Sequence, residues 1–284
     1  MAKKLKPGSR AILITGVSSG IGYGATKELI SRGYTIFGSV RKQEDAQRLK
    51  AELGEKCIPL VFDVTDQPSI ERAAEEVKTH LKGNGLGGLI NNSGISVAGP
   101  VEHLSIDDVE YNFNVNVFGI FRVTKTFLPL LGTQQDHPSL PGRILNISSI
   151  SGKITAPYMA SYTGTKHAVE GISHCLRQEL LPYGIDVVII GPGQVQTPIW
   201  DKGSLDEFAK TQYHPSMMKF FTYLVNRGKK GMALDECSRR IANIFETEKP
   251  KTRYAIVQNK FQDWILPLLL PDRMMDRLYL KKLM

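Results

Sequence analysis

Seven short apolar runs recur along this chain of 284 residues, and segments with helical periodicity separate them. The runs lie at 11–14, 35–40, 58–62, 88–90, 143–148, 185–190 and 254–257. The helical patterns lie near 20–32, 44–53, 67–82, 106–131, 160–182 and 234–247. Such alternation predicts parallel strands joined by crossover helices. We therefore expect an α/β fold: a doubly wound, seven-stranded parallel sheet of the Rossmann type, with helices on both faces and ligands at the carboxyl ends of the strands.

The first apolar run leads directly into a glycine-rich turn. The turn reads Thr15-Gly16-Val17-Ser18-Ser19-Gly20-Ile21-Gly22, and a helical pattern follows it. Glycines let the backbone turn tightly and approach a pyrophosphate, which then lies at the amide end of the helix. Taken alone, such a cluster also fits an ordinary turn, so its meaning depends on the rest of the chain.

Tyr162 and Lys166 are spaced four residues apart in a predicted helix. This spacing places both side chains on the same helix face, about one turn apart. A phenol normally keeps its proton until about pH 10, and a neighbouring ammonium favours the phenolate. We expect Lys166 to lower the pKa of Tyr162 toward neutrality. Such a tyrosine can give a proton to a carbonyl oxygen or take one from an alcohol.

Together these residues resemble the short-chain dehydrogenase/reductase family over roughly residues 8–200. The resemblance is carried by Thr15-Gly16-x-x-x-Gly20-Ile21-Gly22, Asp63-Val64, Asn91-Asn92-Ser93-Gly94, Asn116, Ser149, Tyr162-x-x-x-Lys166 and Pro192-Gly193-x-Val195-x-Thr197. The family usually has alanine where this chain has Ser93, which is a change between small residues. The resemblance implies an oxidoreductase that uses a nicotinamide dinucleotide.

The resemblance also implies four catalytic residues and no metal. Tyr162 is the general acid in reduction and the general base in oxidation, and Ser149 holds the substrate oxygen. Lys166 hydrogen-bonds the nicotinamide ribose, and Asn116 holds a water that links Lys166 to solvent. The predicted cofactor-binding residues are Gly16, Ser18, Ser19, Gly20, Ile21, Gly22, Arg41, Asp63, Val64, Asn92, Gly94, Tyr162, Lys166, Pro192, Gly193, Val195 and Thr197.

The end of the second apolar run indicates which dinucleotide is bound. An acidic side chain there would bind the ribose 2′-hydroxyl and repel a 2′-phosphate. Val40 occupies that place and Arg41 follows it. The planar guanidinium of arginine pairs well with phosphate. We therefore predict NADP(H), with NAD(H) as the alternative if Arg41 is only solvated.

The alternation of strands and helices stops between about residues 198 and 231, where the family carries its substrate lid. The aromatic residues of this segment are Trp200, Phe208, Tyr213, Phe220, Phe221 and Tyr223. They indicate either an apolar ligand or packing of the lid on the body. We expect Ile150, Ile154, Tyr158 and Met159 to line the substrate pocket.

We expect one dinucleotide-binding and catalytic domain over residues 1–260, followed by an amphipathic C-terminal extension over 261–284. The extension is too short and too interrupted to span a bilayer. It could cover the cleft, pack on a second subunit or lie on a membrane surface, and we favour packing. By resemblance, a homodimer or homotetramer would form through the helices near 106–131 and 160–182.

The net charge of +8 does not indicate nucleic acid, because the basic residues are dispersed and no known binding motif accompanies them. The sequence contains no G-x-S-x-G motif, so it does not support a serine hydrolase. Cys57, Cys175 and Cys237 are odd in number and widely spaced, which favours reduced thiols. We therefore expect a cytoplasmic protein, with a peripheral membrane location as the alternative.

Our leading hypothesis is an NADP(H)-dependent enzyme that interconverts an apolar ketone or aldehyde and its alcohol. One alternative is an NAD-linked dehydrogenase of a hydroxysteroid- or retinol-like alcohol. Another is a non-catalytic dinucleotide-binding redox sensor. The sensor has no need for Asn116, Ser149, Tyr162 and Lys166 together, so the sequence favours an enzyme.

Overall fold

A seven-stranded sheet forms the centre of the computed structural model, which describes residues 11–134, 140–201 and 205–284. Every neighbouring pair of strands is parallel. The strands are β1 (Ala11–Ile14), β2 (Thr35–Val40), β3 (Cys57–Val61), β4 (Gly88–Asn91), β5 (Arg143–Ile147), β6 (Asp186–Pro192) and β7 (Arg253–Ile256). Their order across the sheet is β3-β2-β1-β4-β5-β6-β7. The predicted fold class is confirmed, and each predicted strand has its counterpart.

The order of the strands creates a crevice beside β1. The chain adds β2 and β3 on one side of β1, then crosses to add β4 and the later strands on the other side. The segments that leave β1 and β4 therefore diverge at the carboxyl edge of the sheet. Doubly wound sheets bind their ligands at such a switch point.

Helices cover both faces of the sheet, because residues of each strand alternate between two cores. Ile12 and Ile14 belong to the core under α1 and α8, whereas Leu13 belongs to the core under α3 and α5. The helices are α1 (Gly20–Ser31), α2 (Gln43–Leu53), α3 (Gln67–Leu81), α4 (Ile106–Phe113), α5 (Gly119–Leu128), α6 (Ala160–Glu179), α7 (His214–Lys229), α8 (Leu234–Glu246), α9 (Leu266–Leu269) and α10 (Asp272–Leu283). Both faces of the strands are thus buried, as their near-continuous apolar sequences predict.

The helix predicted over 106–131 is not uniform. A π-helical turn, Asn114–Phe118, separates α4 from α5, and a second one, Pro129–Thr133, follows α5. Gly132 has φ 119°, a conformation that side chains with a Cβ rarely adopt, and it ends the helix. π-Helical turns inside helices often mark functional sites, and the first of these carries Asn116.

The lid segment, which we define as residues 198–231, contains α7, a helix that the sequence analysis did not predict. Residues 202–204 of this segment lie outside the described residues. The Trp200 indole N–H donates to the Val195 carbonyl oxygen at 2.6 Å, and the indole ring packs on Gly228 of α7. Val195 also forms a parallel bridge with Met232, just beyond the lid segment. These contacts tie α7 to the end of β6.

The C-terminal tail, residues 261–284, packs on the outside of the lid segment of its own chain. It consists of a π-helical turn, Phe261–Ile265, followed by α9 and α10. The Tyr279 hydroxyl donates to the Thr155 carbonyl oxygen at 2.9 Å, and Lys282 Nζ donates to the Tyr223 hydroxyl at 3.1 Å. Among the described helices, none combines the length and apolarity needed to cross a membrane.

We expect Gly228→Ala to destabilise the protein by about 1–3 kcal/mol, because the added methyl group overlaps the Trp200 ring. Gly171→Ala is the matched control, since this helical glycine is exposed and its Cβ would meet nothing within 4 Å. The control should stabilise the protein by about 0.4–1 kcal/mol. Urea unfolding measures both, and equal stabilities for the two variants would contradict the described anchoring of α7.

Candidate active site

A cavity of about 1040 Å³ lies at the carboxyl edge of the sheet, where the fold predicts a ligand. Its walls come from the segments that follow β1 to β6 and from the lid segment. The residues predicted to bind the cofactor that line it are Gly16, Ser18, Ser19, Gly20, Ile21, Arg41, Asp63, Val64, Asn92, Gly94, Tyr162, Lys166, Pro192, Gly193, Val195 and Thr197. Gly22 is the one member of the predicted set that does not line the cavity.

The glycine turn after β1 needs its glycines for two different reasons. Gly16 and Gly20 have φ +70° and +62°, which strain any residue with a side chain. Gly22 has no such angle, but a Cβ there would overlap the Gly16 carbonyl oxygen and the Asn92 amide nitrogen. The turn can therefore bring its backbone N–H groups close to an anionic ligand at the start of α1.

Thr15 and Asn92 lock the loops after β1 and β4 together across the switch point. Asn92 Nδ2 donates to the carbonyl oxygens of Thr15 and Gly16 at 2.8 and 3.0 Å. In return, Thr15 Oγ1 accepts from the backbone N–H groups of Asn92 and Ser93, both at 2.9 Å. Thr15 had no predicted role, and only its place at the start of the glycine motif indicates one. Asn91, by contrast, points away from the cavity into a buried network with Thr124 and Asn146.

The end of β2 presents no carboxylate to the cavity. Ser39, Val40 and Arg41 line this part of the wall, and Arg41 is exposed at the rim. Ser39 Oγ accepts from the Gly16 N–H at 2.9 Å, which fixes β2 to the glycine turn. Sequence reasoning missed Arg48 of α2, whose guanidinium donates to the Ser18 carbonyl oxygen at 2.8 Å. A second cation thus lies beside the loop that Arg41 flanks.

Asp63 stabilises the turn after β3. Its Oδ1 accepts from the backbone N–H and the hydroxyl of Thr65 at 2.8 and 2.7 Å. Asp66, rather than Asp63, precedes the first residue of α3, so Asp63 is not the cap of this helix. Val64 packs on Gly119, where a Cβ would come within 2.9 Å of the valine side chain. The Asp63–Val64 pair therefore forms a rigid wall of the cavity.

The start of α6 places Tyr162 and Lys166 on one face, as their spacing predicts. Lys166 Nζ lies 5.7 Å from the centroid of the Tyr162 ring and donates to the Ile147 carbonyl oxygen at 3.0 Å. The Ser149 side chain is close enough to the Tyr162 hydroxyl to act on its pKa, and Ser149 Oγ accepts from the Ser151 N–H at 3.0 Å. A phenol, a hydroxyl and an ammonium therefore converge on one wall of the cavity.

Burial controls the proton affinities of this pair. It raises the pKa of Tyr162, and the hydrogen bond with Ser149 opposes that rise only in part. Burial also lowers the pKa of Lys166 to about 8, although the negative charge of Glu170 acts in the opposite direction. The expectation that Lys166 brings the pKa of Tyr162 toward neutrality is therefore wrong for this structure. At neutral pH, Tyr162 keeps its proton and Lys166 is mostly charged.

Asn116 connects the π-helical turn to the loop after β4. Its Oδ1 accepts from the Ile95 N–H at 2.8 Å, and its Nδ2 donates to the Ile95 carbonyl oxygen at 2.9 Å and to Thr165 Oγ1 at 3.0 Å. A Cβ at Gly94 would lie 3.2 Å from Asn116 Oδ1 and 3.6 Å from Lys166 Nζ. Asn116 therefore holds this loop close to Lys166.

The part of the cavity next to Tyr162 is mainly apolar. Ile150 and Met159 line it as predicted, whereas Ile154 and Tyr158 do not. Tyr158 has φ 63°, and its hydroxyl is 2.6 Å from the Ser216 hydroxyl, so it contacts the lid segment instead of the cavity.

The aromatic residues of the lid segment divide between the two expected roles. Trp200, Phe208 and Phe221 line the cavity. Phe220 is buried against Tyr158, with 6.1 Å between ring centroids, and Tyr223 contacts the C-terminal tail. The segment therefore offers an apolar surface to a ligand and packs on the body as well.

The residues present fit a nicotinamide dinucleotide. The glycine turn and the start of α1 suit its pyrophosphate, and the Asp63–Val64 wall lies on the side of β2 and β3. Arg41, together with the absence of a carboxylate among Ser39, Val40 and Arg41, suits a 2′-phosphate. The remaining wall, with Tyr162, Ser149 and the apolar lid residues, suits a small uncharged reactant.

Comparison with known proteins agrees with this geometry. A family model described as short chain dehydrogenase matches residues 10–207. The chain is 35% identical over 276 residues to the NADPH-dependent 3-dehydrocapnine reductase of Ornithobacterium rhinotracheale, which covers 96% of this chain and 97% of that protein.

Two solved structures share the fold over nearly the whole chain. A short-chain dehydrogenase from Streptomyces avermitilis is 25% identical with a TM-score of 0.74, covering 96% of this chain and 94% of that one. A short chain dehydrogenase from Burkholderia cenocepacia J2315 in complex with NADP is 22% identical with a TM-score of 0.71, covering 96% and 98%.

We expect Arg41→Asp to weaken NADPH binding by about ten- to a hundredfold, because a guanidinium–phosphate contact is lost and a repulsive charge is added. NADH binding should change little or improve. Lys56→Asp makes the same charge change just before β3, at the amino ends of the strands and away from the cavity, and serves as the control. Fluorescence titration of both nucleotides measures the effect. An unaltered preference in Arg41→Asp would remove Arg41 from the specificity determinants.

Proposed function

The chain belongs to the short-chain dehydrogenase family, and we propose that it reduces an apolar ketone or aldehyde, with Tyr162 as the proton donor. It is an oxidoreductase that uses NADP(H). The observation that carries the proposal is that Tyr162, Ser149 and Lys166 line the same cavity.

The protonated phenol of Tyr162 and the charged Lys166 favour reduction at neutral pH. When bound, NADPH supplies the hydride that the carbonyl carbon receives. Tyr162, whose raised pKa keeps its phenol protonated, delivers a proton to the carbonyl oxygen. Ser149 donates a hydrogen bond to the same oxygen, and the positive charge of Lys166 stabilises the phenolate that remains. Asn116 maintains the loop beside Lys166 and so preserves this arrangement.

The apolar surface of the cavity supports an apolar substrate. Ile150 and Met159 line the cavity together with Trp200, Phe208 and Phe221 of the lid segment. Such a surface binds by area and shape and provides few specific polar partners. An NAD-linked dehydrogenase of a hydroxysteroid- or retinol-like alcohol would need the same apolar wall, but Arg41 favours the phosphorylated cofactor.

A non-catalytic redox sensor is less consistent with Tyr162 and Ser149 beside Lys166 in the cavity wall. A protein that only binds a dinucleotide could use the charge of Lys166 for binding, but it has no use for a proton donor and a second hydroxyl next to it. The chemistry of the site therefore supports an enzyme.

We expect Tyr162→Phe to reduce the rate of carbonyl reduction by about 10²- to 10⁴-fold, because the proton donor is removed. The NADPH dissociation constant should stay close to that of the wild-type protein. Tyr183→Phe, which changes an exposed tyrosine in the turn before β6, is the control and should leave both quantities unchanged. Steady-state assays with a panel of lipophilic carbonyls measure the rates. A fully active Tyr162→Phe enzyme would exclude the proposed acid.

We further propose that the protein forms a homodimer or homotetramer through α6 and through α4, α5 and the π-helical turn between them. Phe118 and Phe121 support this, since they are 51% and 49% exposed on that surface. Phe121→Lys should shift the protein toward the monomer in sedimentation velocity, because it places a charge in an apolar interface. Val101→Lys alters a more exposed residue and is the control. An unchanged sedimentation coefficient in Phe121→Lys would rule out this interface.

We propose a cytoplasmic location, which the free thiols of Cys57, Cys175 and Cys237 support. The C-terminal tail could add a peripheral membrane contact through its outer face, where Leu268 and Leu269 are exposed. Its inner face already packs on α7, so we assign the tail to support of the lid segment.

We therefore expect the wild-type protein and the double variant Leu268→Glu, Leu269→Glu to be recovered equally in cosedimentation with anionic vesicles. This variant leaves the contacts between the tail and α7 in place, which a deletion of the tail would remove. Loss of vesicle binding in the double variant alone would establish the membrane contact instead.

A further inference from the structure

Arg253, the first residue of β7, extends beneath the catalytic wall. Its Nε donates to Glu170 Oε2 at 2.8 Å, and its Nη2 donates to the Ser149 carbonyl oxygen at 3.2 Å. The side chain passes over Gly191 of β6, where a Cβ would lie 2.5 Å from Nη2. The guanidinium therefore occupies a space that the glycine leaves open, and it holds the backbone of Ser149 directly.

Glu170 lies one helical turn beyond Lys166 and is only 2% exposed. Among the described residues no group donates a hydrogen bond to its Oε1. A buried carboxylate with an unsatisfied oxygen is poor evidence for a purely stabilising ion pair. Its negative charge does act on Lys166, because it opposes the fall in the pKa of that ammonium on burial.

Trp264 in the C-terminal tail covers Arg253 from outside. The guanidinium carbon lies 4.1 Å from the centroid of the indole ring, which is the geometry of a cation–π contact. The adjacent Asp263 accepts a hydrogen bond from Arg227 of α7 at 2.5 Å. The segment that carries Trp264 is thereby attached to the lid segment.

We propose that Arg253 is a positioning residue for the active site and that Trp264 makes the C-terminal tail part of its support. Arg253 fixes the Ser149 backbone and holds the Glu170 carboxylate beside Lys166. The proposal rests on the proposed function only where turnover is measured. A simple structural ion pair between β7 and α6 would affect stability alone.

Few ionisable groups surround Lys166 and Glu170 among the described residues, so a pH titration can be assigned to one residue. Among the described residues, the titratable and charged groups that face Lys166 and Glu170 are Tyr162 of α6 and Arg253 of β7. The segment after β5 and the π-helical turn add Ser148, Ser149 and Asn116, which do not titrate near neutral pH. An alkaline change near pH 8 therefore reports on Lys166.

The first test measures NADPH affinity against pH by nucleotide fluorescence, which needs no substrate. Affinity should fall as Lys166 loses its positive charge at a pKa of about 8, because NADPH is an anion. Glu170→Gln removes the negative charge that favours the charged form of Lys166. The fall in NADPH affinity should therefore occur at a pH lower by about one unit. Glu179→Gln changes an exposed carboxylate at the end of the same helix and should leave the curve in place.

Trp264→Ala is the second variant and tests the same network from the surface. Water that reaches Arg253 and Glu170 would weaken the pull of Glu170 on Lys166. We expect a smaller shift in the same direction and a fall in kcat of about tenfold or less. Trp264→Phe keeps an aromatic ring and should restore both, whereas Phe261→Ala removes an exposed ring from the same segment and is the control.

The outcomes separate this inference from the proposed function. Curves for Glu170→Gln and Trp264→Ala that coincide with the wild-type curve would overturn the inference, whatever the enzyme reduces. A wild-type protein that reduces no carbonyl would refute only the proposed function, because the NADPH titrations would still decide the inference. If Glu170→Gln does not fold, the Trp264→Ala titration decides alone.

Discussion

The charge of Lys166 is the constraint on which the site depends. The residue is 5% exposed, so its ammonium must find compensation inside the protein. The Ile147 carbonyl oxygen, Glu170 and the face of Tyr162 supply it, and they come from β5 and α6. The contacts that compensate this one buried cation therefore help to hold β5 and α6 together in the cavity wall.

Further polar contacts fix the loops that line the cavity next to this wall. Asn116 joins the π-helical turn to Ile95, and Asn92 with Thr15 joins the loops after β4 and β1. Each contact satisfies backbone groups that these irregular segments cannot pair among themselves. The loops can therefore be both irregular and rigid, which lowers the entropic cost of binding a dinucleotide.

The sequence predicted the sheet and the loops that line the cavity because their signals are local. Apolar runs and glycine spacing reflect contacts within a few residues or within one strand. α7 was missed because its aromatic residues stand among polar ones and their partners lie far away along the chain. Phe220 packs on Tyr158, Phe221 lines the cavity and Tyr223 contacts the tail.

Nonlocal effects account for the other differences. The raised pKa of Tyr162 follows from burial, which residue spacing does not express. Tyr158 looked like a pocket residue, but its left-handed conformation turns it toward Ser216. The contacts of Arg253 join residues more than eighty positions apart along the chain. Only the assembled sheet brings these groups together.

The bridge between Val195 and Met232 has a consequence for how such a scaffold can diversify. It closes the intervening segment into a loop whose two ends meet at the edge of the sheet. A longer loop of this kind costs only a slowly growing closure entropy. Insertions, deletions or exchange of this segment can therefore reshape the lid side of the cavity while Tyr162 and Lys166 on α6 stay in place.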